Sequence, residues 1–407
     1  MSKIETIKSY TGQDLENIFF RPMLTGPSAE EMGIKVMYNM PVPTVLHFWK
    51  RSGDVLQKFD KAGWSGSAAA QKFQKTMELK RVKAEVGYSA EDYFSMVYEL
   101  ITASPNVNME DLSGTELEAA ETALFKQDIA EGIRSTMWLG NTERYSFCNT
   151  FDGFLKHLTA DLVAGERAIR TFGYSRSGDK WASSLLAKMW SSSTDQLKNL
   201  KSEGNLAFFV SSDVYAQYEN ELDGADYEAA YIARQDGRQQ LHYRGIPVID
   251  VQLASYYDYY EDLPTTFALL TDRRNLALAV NTSDFPGTEV KMWYNPDQME
   301  NRQRAVFMAG CDYLMPELVT FAICTSLDVD VQLEDNTAII NFEPDDIYSI
   351  RKVNIQLYSG GKPYGEKINI DGIDVSGEYT YECDDLTEVS VIVYYHNGTV
   401  TDTRYRN

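Results

Sequence analysis

Histidine and cysteine are scarce in this chain, and basic residues are outnumbered. The four histidines, His47, His157, His242 and His396, sit in four separate stretches. No local spacing therefore assembles a metal site or a Ser-His-Asp triad. The four cysteines, Cys148, Cys311, Cys324 and Cys383, are far apart and form no C-x-x-C pair. Zinc ribbons and redox motifs are not indicated, and buried free thiols are the expectation. Lys and Arg number 38 against 60 Asp and Glu, a formal net charge of -22 and a sequence pI of about 4.6. Binding by counterion release needs a basic face. Lysines do cluster between Lys72 and Lys83, but no Arg-rich tract stands out, so sequence-specific nucleic-acid binding is not expected. No apolar run approaches the roughly 20 residues needed to cross a bilayer. The first twenty residues lack an apolar signal core and a small-residue cleavage site, so the expectation is a cytosolic chain without a membrane segment.

Catalytic motifs are equally absent. Gly173-Tyr-Ser-Arg-Ser-Gly178 is close to a nucleophile elbow but has the wrong spacing for G-x-S-x-G, and reads as a solvent loop. Gly361-Lys362 lacks the upstream glycine and downstream Ser/Thr of a phosphate loop. The acid pairs Asp328/Asp330, Asp345/Asp346 and Asp384/Asp385 lie outside any EF-hand spacing and read as solvated turns. The expectation is no catalytic residue, no cofactor and no metal ligand.

The chain does have 407 residues, 43% of them hydrophobic, enough for a sizeable core and more than one domain. Residues 1–50, broken by Pro22, Pro27, Pro41 and Pro43, read as an arm whose Phe19 and Phe20 must lie on something else. Residues 54–86 read as a two-stranded excursion carrying Phe59, Trp64 and Phe73, with Gly63-Trp64-Ser65-Gly66 at its tip. An exposed Trp there is costly unless a partner covers it. Ser89–Ile101 reads as a helix with a capping box. A longer helix capped by Thr115-x-x-Glu118 has the stripe Leu117, Leu124, Phe125, Ile129, Ile133, Met137 and ends at Gly140. Helices and strands then alternate in an α+β or α/β pattern, including a strand over Tyr243–Asp250 and another at Asn275–Ala279. Asp179 is placed to cap a helix, and Ser191–Thr194 interrupts it. Beyond Ser326 the pattern turns to period two. Turns such as Ser359-Gly-Gly361 and Asn397-Gly398 separate six or seven short strands, which predicts an immunoglobulin-like β-sandwich over 327–407.

Five segments carry a family resemblance. They are Val36–Thr44; Gly132-Ile133 to Trp138-Leu-Gly-Asn141; Tyr243-Arg-Gly-Ile-Pro-Val248; Asn275–Val280; and the closing strands Val290–Trp293 with Ala305–Gly310. Over residues 1–323 the chain resembles the major capsid proteins of tailed bacteriophages, the Hong Kong 97-like shell fold. The resemblance implies an N-terminal arm (1–50), an extended loop (51–87), a peripheral domain with a spine helix (88–150, strands of 271–323 returning to it) and an axial domain (151–270). The all-β segment 327–407 is an addition to that α+β plan. The implied function is structural, not enzymatic: self-assembly into pentamers and hexamers of an icosahedral shell enclosing double-stranded DNA. It would assemble in the host bacterial cytoplasm with portal, scaffold or cement proteins. Inter-subunit contacts would fall on Phe19, Phe20, Phe59, Trp64 and Phe73. Lys58, Lys61, Lys72 and Lys75 are available for the covalent crosslinks that a minority of the family makes. The rival readings are a secreted or surface protein whose β-sandwich binds a ligand, and an acid-dependent hydrolase using Glu289 or Asp312.

Overall fold

A computed structural model describes residues 28–40, 44–52, 69–89, 116–223, 231–233, 239–259, 263–281, 290–295, 297–298, 300–334 and 336–406. The expected arm as far as residue 27, the excursion tip and the Ser89–Ile101 helix beyond its first residue lie outside them. Chain packing divides the protein into two compact units. One holds Val36–Ile129 and Leu278–Leu314 with the N-terminal segment. The other holds Met23–Lys35, Ala130–Ala277 and Met315–Asn407.

The strands in chain order are β1 (Lys35–Met37), β2 (Thr44–Ser52), β3 (Ala69–Met77), β4 (Lys80–Ser89), β5 (Arg170–Tyr174), β6 (Leu206–Val210) and β7 (Tyr231–Ala233). There follow β8 (Gln239–Tyr243), β9 (Ile246–Asp250), β10 (Phe267–Asp272), β11 (Leu276–Val280), β12 (Lys291–Asn295), β13 (Glu300–Tyr313) and β14 (Val319–Cys324). The last seven are β15 (Leu327–Glu334), β16 (Thr337–Pro344), β17 (Ile350–Ser359), β18 (Lys362–Asp371), β19 (Gly377–Glu382), β20 (Leu386–Tyr395) and β21 (Val400–Arg406). The helices are α1 (Glu116–Leu139), α2 (Phe154–Ala164), α3 (Trp181–Ser192), α4 (Asp195–Asn199) and α5 (Ser212–Asp223).

In the first unit the 14-residue β13 is the spine of a sheet. β12 lies on one of its edges and β4 pairs with it antiparallel from Glu300↔Ser89 to Ala309↔Lys80. The order β1-β11-β13-β12 completes the sheet. Alternate β13 residues Asn301, Gln303, Ala305, Phe307 and Ala309 are buried, while Arg304 and Val306 are exposed, the period-two signature of a half-buried strand. β2 and β3 form a separate two-stranded ribbon in register Thr44↔Met77 to Ser52↔Ala69.

The second unit is built on a mixed seven-stranded sheet, β5-β14-β10-β6-β9-β8-β7. Its central strands β6, β10 and β14 are mostly apolar and buried at every position, as expected where both faces are covered. On one face Phe208, Val210, Ala268 and Leu270 pack with Leu185, Leu186 and Met189 of α3 and Val214 and Tyr218 of α5. Elsewhere in this unit Trp138, fully buried at the end of α1, meets Phe154, Phe209 and Phe267 at centroid distances of 5.4, 5.5 and 6.0 Å. α1 stops where Gly140 meets Gly153. A Cβ on Gly140 would stand 2.2 Å from the Phe151 carbonyl oxygen, so only glycine admits this crossing.

Tyr243–Asp250 is a hairpin rather than one strand. Arg244 and Gly245 turn it with φ of 54° and 79°, the left-handed pair of a type I′ turn. Asp179 does not cap α3, whose N-cap position is Lys180 with no side-chain bond. The interruption after α3 is a new start: the Thr194 hydroxyl accepts from the Leu197 N–H and caps α4.

Residues 327–406 form two sheets, β15-β16-β19 and β18-β17-β20-β21. Ala338, Ile340 and Phe342 of the first and Val353, Ile355, Val389, Val391 and Val393 of the second are buried. This is the alternation of a two-sheet β-domain. The segment is joined tightly to the rest of its unit. The buried Asp346 carboxylate accepts from the Thr265 and Thr266 N–H groups, and the Tyr395 hydroxyl donates to the Thr325 carbonyl. Arg176 donates to the Asp345 carbonyl.

Candidate interaction surfaces

The ribbon β2–β3 is anchored at its root. A two-stranded ribbon is marginally stable alone in water, so its orientation depends on what holds the β3–β4 corner. Lys75 Nζ lies 2.8 Å from Asp312 Oδ1 and 3.8 Å from the Tyr313 ring centroid, and donates to the Tyr313 carbonyl. Met77 and Leu79 are buried at the same corner. Gly310 lets β13 pass close beneath it: a Cβ there would be 2.2 Å from the Glu78 carbonyl oxygen. Asp312, considered above as a hydrolytic acid, is thus the counter-charge of Lys75 and also accepts from the Tyr313 N–H. Of the expected contact residues, Phe73 lies in β3 as register partner of Phe48. Phe19, Phe20, Phe59 and Trp64, like Lys58, Lys61 and Glu289, lie outside the described residues.

A second surface is the open face of the first unit's sheet. Five cations, Arg81 and Lys83 of β4, Lys291 of β12, and Arg302 and Arg304 of β13, share it by register with two carboxylates, Glu85 and Glu300. Glu85 is bracketed by Lys83 at 2.6 Å and Arg304 at 2.6 Å, which holds its carboxyl below the usual carboxylate range. At the centre lie the exposed Val306 and Trp293, the latter under the Arg304 guanidinium at 5.8 Å. Sequence reasoning missed this face. Its signal was the alternation in Arg81-Val-Lys83-Ala-Glu85 and Arg302-Gln-Arg304-Ala-Val306, visible once the two strands are paired.

A third surface, in the second unit, is the outer face of β15-β16-β19. The inward residues of β15 and β16 alternate with Asp328, Asp330, Glu334 and Glu343, and β19 adds Glu378 and Glu382. No Lys or Arg occurs on these three strands. Beside it opens a groove of about 550 Å³, lined by Phe342, Glu343, Asp345, Tyr348 and Gly377 among others.

Chemistry does not converge elsewhere among the described residues. His157 lies in α2, His242 in β8, and His396 follows β20. The Ser175 hydroxyl meets the hydroxyls of Ser177 at 3.1 Å and Ser326 at 3.5 Å and accepts from the Ser177 N–H, with no base beside it among these bonds. All four cysteines are free thiols; three are buried and Cys148 is half-buried. No group of three or more His, Cys, Asp or Glu among the described residues is placed to hold a metal ion. No helix among them is long and apolar enough to cross a membrane.

No family model matches this sequence, and no curated protein does. Solved structures that resemble it do so at low identity. The chain is similar to the capsid of a native GTA particle, 11% identical with a TM-score of 0.48, covering 80% of this chain and 96% of that one. It is similar to a Gordonia phage Cozz chain, 10% identical with a TM-score of 0.46, covering 80% and 92%. A satellite phage P4 procapsid chain, from a particle that includes the size determination (Sid) protein, is 11% identical with a TM-score of 0.42, covering 71% and 92%.

Proposed function

We propose that this chain is the major capsid protein of a tailed phage or a related particle. In this reading it has the Hong Kong 97-like plan with an added immunoglobulin-like domain. It assembles as pentamers and hexamers into an icosahedral shell around double-stranded DNA, inside a bacterial host, with scaffold, portal or cement proteins. The observation that carries the reading is an element order. An antiparallel ribbon (β2–β3) precedes a 24-residue helix (α1), roughly 36 Å of rod at about 1.5 Å per residue. A mixed α/β unit follows, and the long β13 then returns to pair with β4 near the start. This order supports reading these parts as excursion, spine, axial unit and return.

The ribbon fits the role of the extended loop. It is fixed at one end by Lys75 and Asp312, and it carries Phe73, one of the expected contact residues. A ribbon of this size gains stability by lying on another body, and in a shell that body is the neighbouring subunit. The acidic chain suits a wall that repels packaged DNA and lets it slide. The test is size-exclusion chromatography with negative-stain microscopy of the purified chain. Rings, tubes or shells are expected. A uniform monomer of about 46 kDa, with or without scaffold, contradicts the reading.

A further inference from the structure

Two sheet faces of opposite sign are exposed on this chain, one in each unit. We infer that the basic face of β4-β13-β12 is a docking surface for the acidic outer face of β15-β16-β19 on a second copy of the chain. The inference rests on the shell reading and names one contact within it.

The basic face is unusual for its setting. Among the described residues five cations face two carboxylates there, on a chain whose net charge is -22. Its centre is apolar and aromatic: Val306 is 41% exposed and Trp293 38%. Met308, the register partner of Arg81, extends the strip. An apolar centre with Trp, Met and Arg inside a charged rim is the composition of a protein interface. A phosphate backbone matches it less well. Glu85 sits between Lys83 and Arg304 and would repel phosphate. Val306 and Met308 offer a phosphate nothing.

The acidic face supplies what the basic one lacks. Six carboxylates project from three paired strands that carry no Lys or Arg. Half-buried Ile339, the register partner of Gln332 and Thr380, lies in the middle of that face and can meet Val306. Every copy carries one face of each kind, so the stoichiometry is one to one. Because the two patches differ, the contact is head-to-tail, and head-to-tail contacts close into rings when the rotation permits. Charge pairing of this kind sets register and partner choice and weakens as salt rises.

The test is charge reversal and its rescue, read as the protein concentration at half-assembly in sedimentation. One variant carries Arg81→Glu, Lys291→Glu and Arg302→Glu. Another carries Asp330→Lys, Glu334→Lys and Glu378→Lys. Each is expected to raise the half-assembly concentration by about tenfold or more, and the chain carrying both sets should return to within about threefold of the original. Wild-type assembly should itself weaken between about 0.05 and about 0.5 M salt. This second reading stands even if a variant misfolds. Particles that form equally well from all variants, or assembly indifferent to salt, overturn the inference and leave the shell reading intact. If only the basic-face set has an effect, and it abolishes binding to a short DNA duplex, the face serves nucleic acid and the inference fails. An effect on monomer melting without concentration dependence would place the pairing within one chain and also overturn it. A wild type that never associates overturns both this inference and the shell reading.

Discussion

At the residue scale the second unit rests on a few positions that tolerate no change. Arg134 is buried and donates to both Glu131 oxygens and to the Val251 carbonyl at 2.7 Å, while Tyr256 donates to Glu131. Burial, then Glu131, pushes the Tyr256 hydroxyl up to about 12. Arg134→Met should cost about 3–5 kcal/mol, because it leaves the Glu131 carboxylate without its cation and the Val251 carbonyl without the Arg134 donor. A melting temperature within a degree or two of the parent contradicts that. Gly140→Ala should be comparably severe, since its Cβ would meet the Phe151 and Thr136 carbonyls at 2.2 and 2.5 Å, and backbone cannot yield as a side chain can. Asp346 gives a pH signature. Burial raises its carboxyl above the usual range, against the pull of the Thr266 N–H, the Thr265 hydroxyl and the Tyr348 N–H. Asp250 is raised by burial too. A carboxyl raised on folding binds its proton more tightly in the native state. Stability therefore falls as pH rises from about 3.9, the unfolded value, through the native one. Asp346→Asn should make that fall shallower; an unchanged pH-stability profile counts against the assignment.

At the element scale the claim concerns the ribbon. Lys75→Met removes the ion pair with Asp312 and the bond to the Tyr313 carbonyl at the ribbon's root. Hydrogen exchange in β2 and β3 should rise by about tenfold or more, while β6, β10 and β14 keep their protection. Equal exchange in parent and variant would show that the root is held by something else. Elements were legible where the pattern was strong. The spacing of Phe125, Ile129, Ile133 and Met137 predicted a helix ending at Gly140, and α1 ends at Leu139. Period-two alternation beyond Ser326 predicted six or seven strands, and seven are present. The hairpin at Arg244-Gly245 was illegible because Arg in a left-handed turn is not the Asn-Gly or Asp-Gly signal, and Ile246–Asp250 continues the apolar run. Interaction surfaces were the least legible. The basic face is assembled from β4 and β12–β13, about 200 residues apart in sequence, and only their pairing puts Lys83 beside Val306.

At the scale of the whole molecule the proposal is a subunit that meets copies of itself. Among the described residues the distinctive features are a ribbon, a long helix and two oppositely charged sheet faces. The β-domain is bonded into its unit through Asp346, Tyr395 and Arg176. A chain stopped at Ser326 would leave the buried Thr266 N–H without its carboxylate. Its remaining unit should melt earlier than the full chain, consistent with about 1–3 kcal/mol for an orphaned buried donor. A truncated chain as stable as its parent would instead make the domain a separable attachment. The central claim is self-assembly, and sedimentation with negative-stain imaging of the purified full-length chain over a range of concentrations tests it most directly. The account predicts capsomer rings, tubes or closed shells; a single species of about 46 kDa at every concentration, salt and scaffold condition would contradict it.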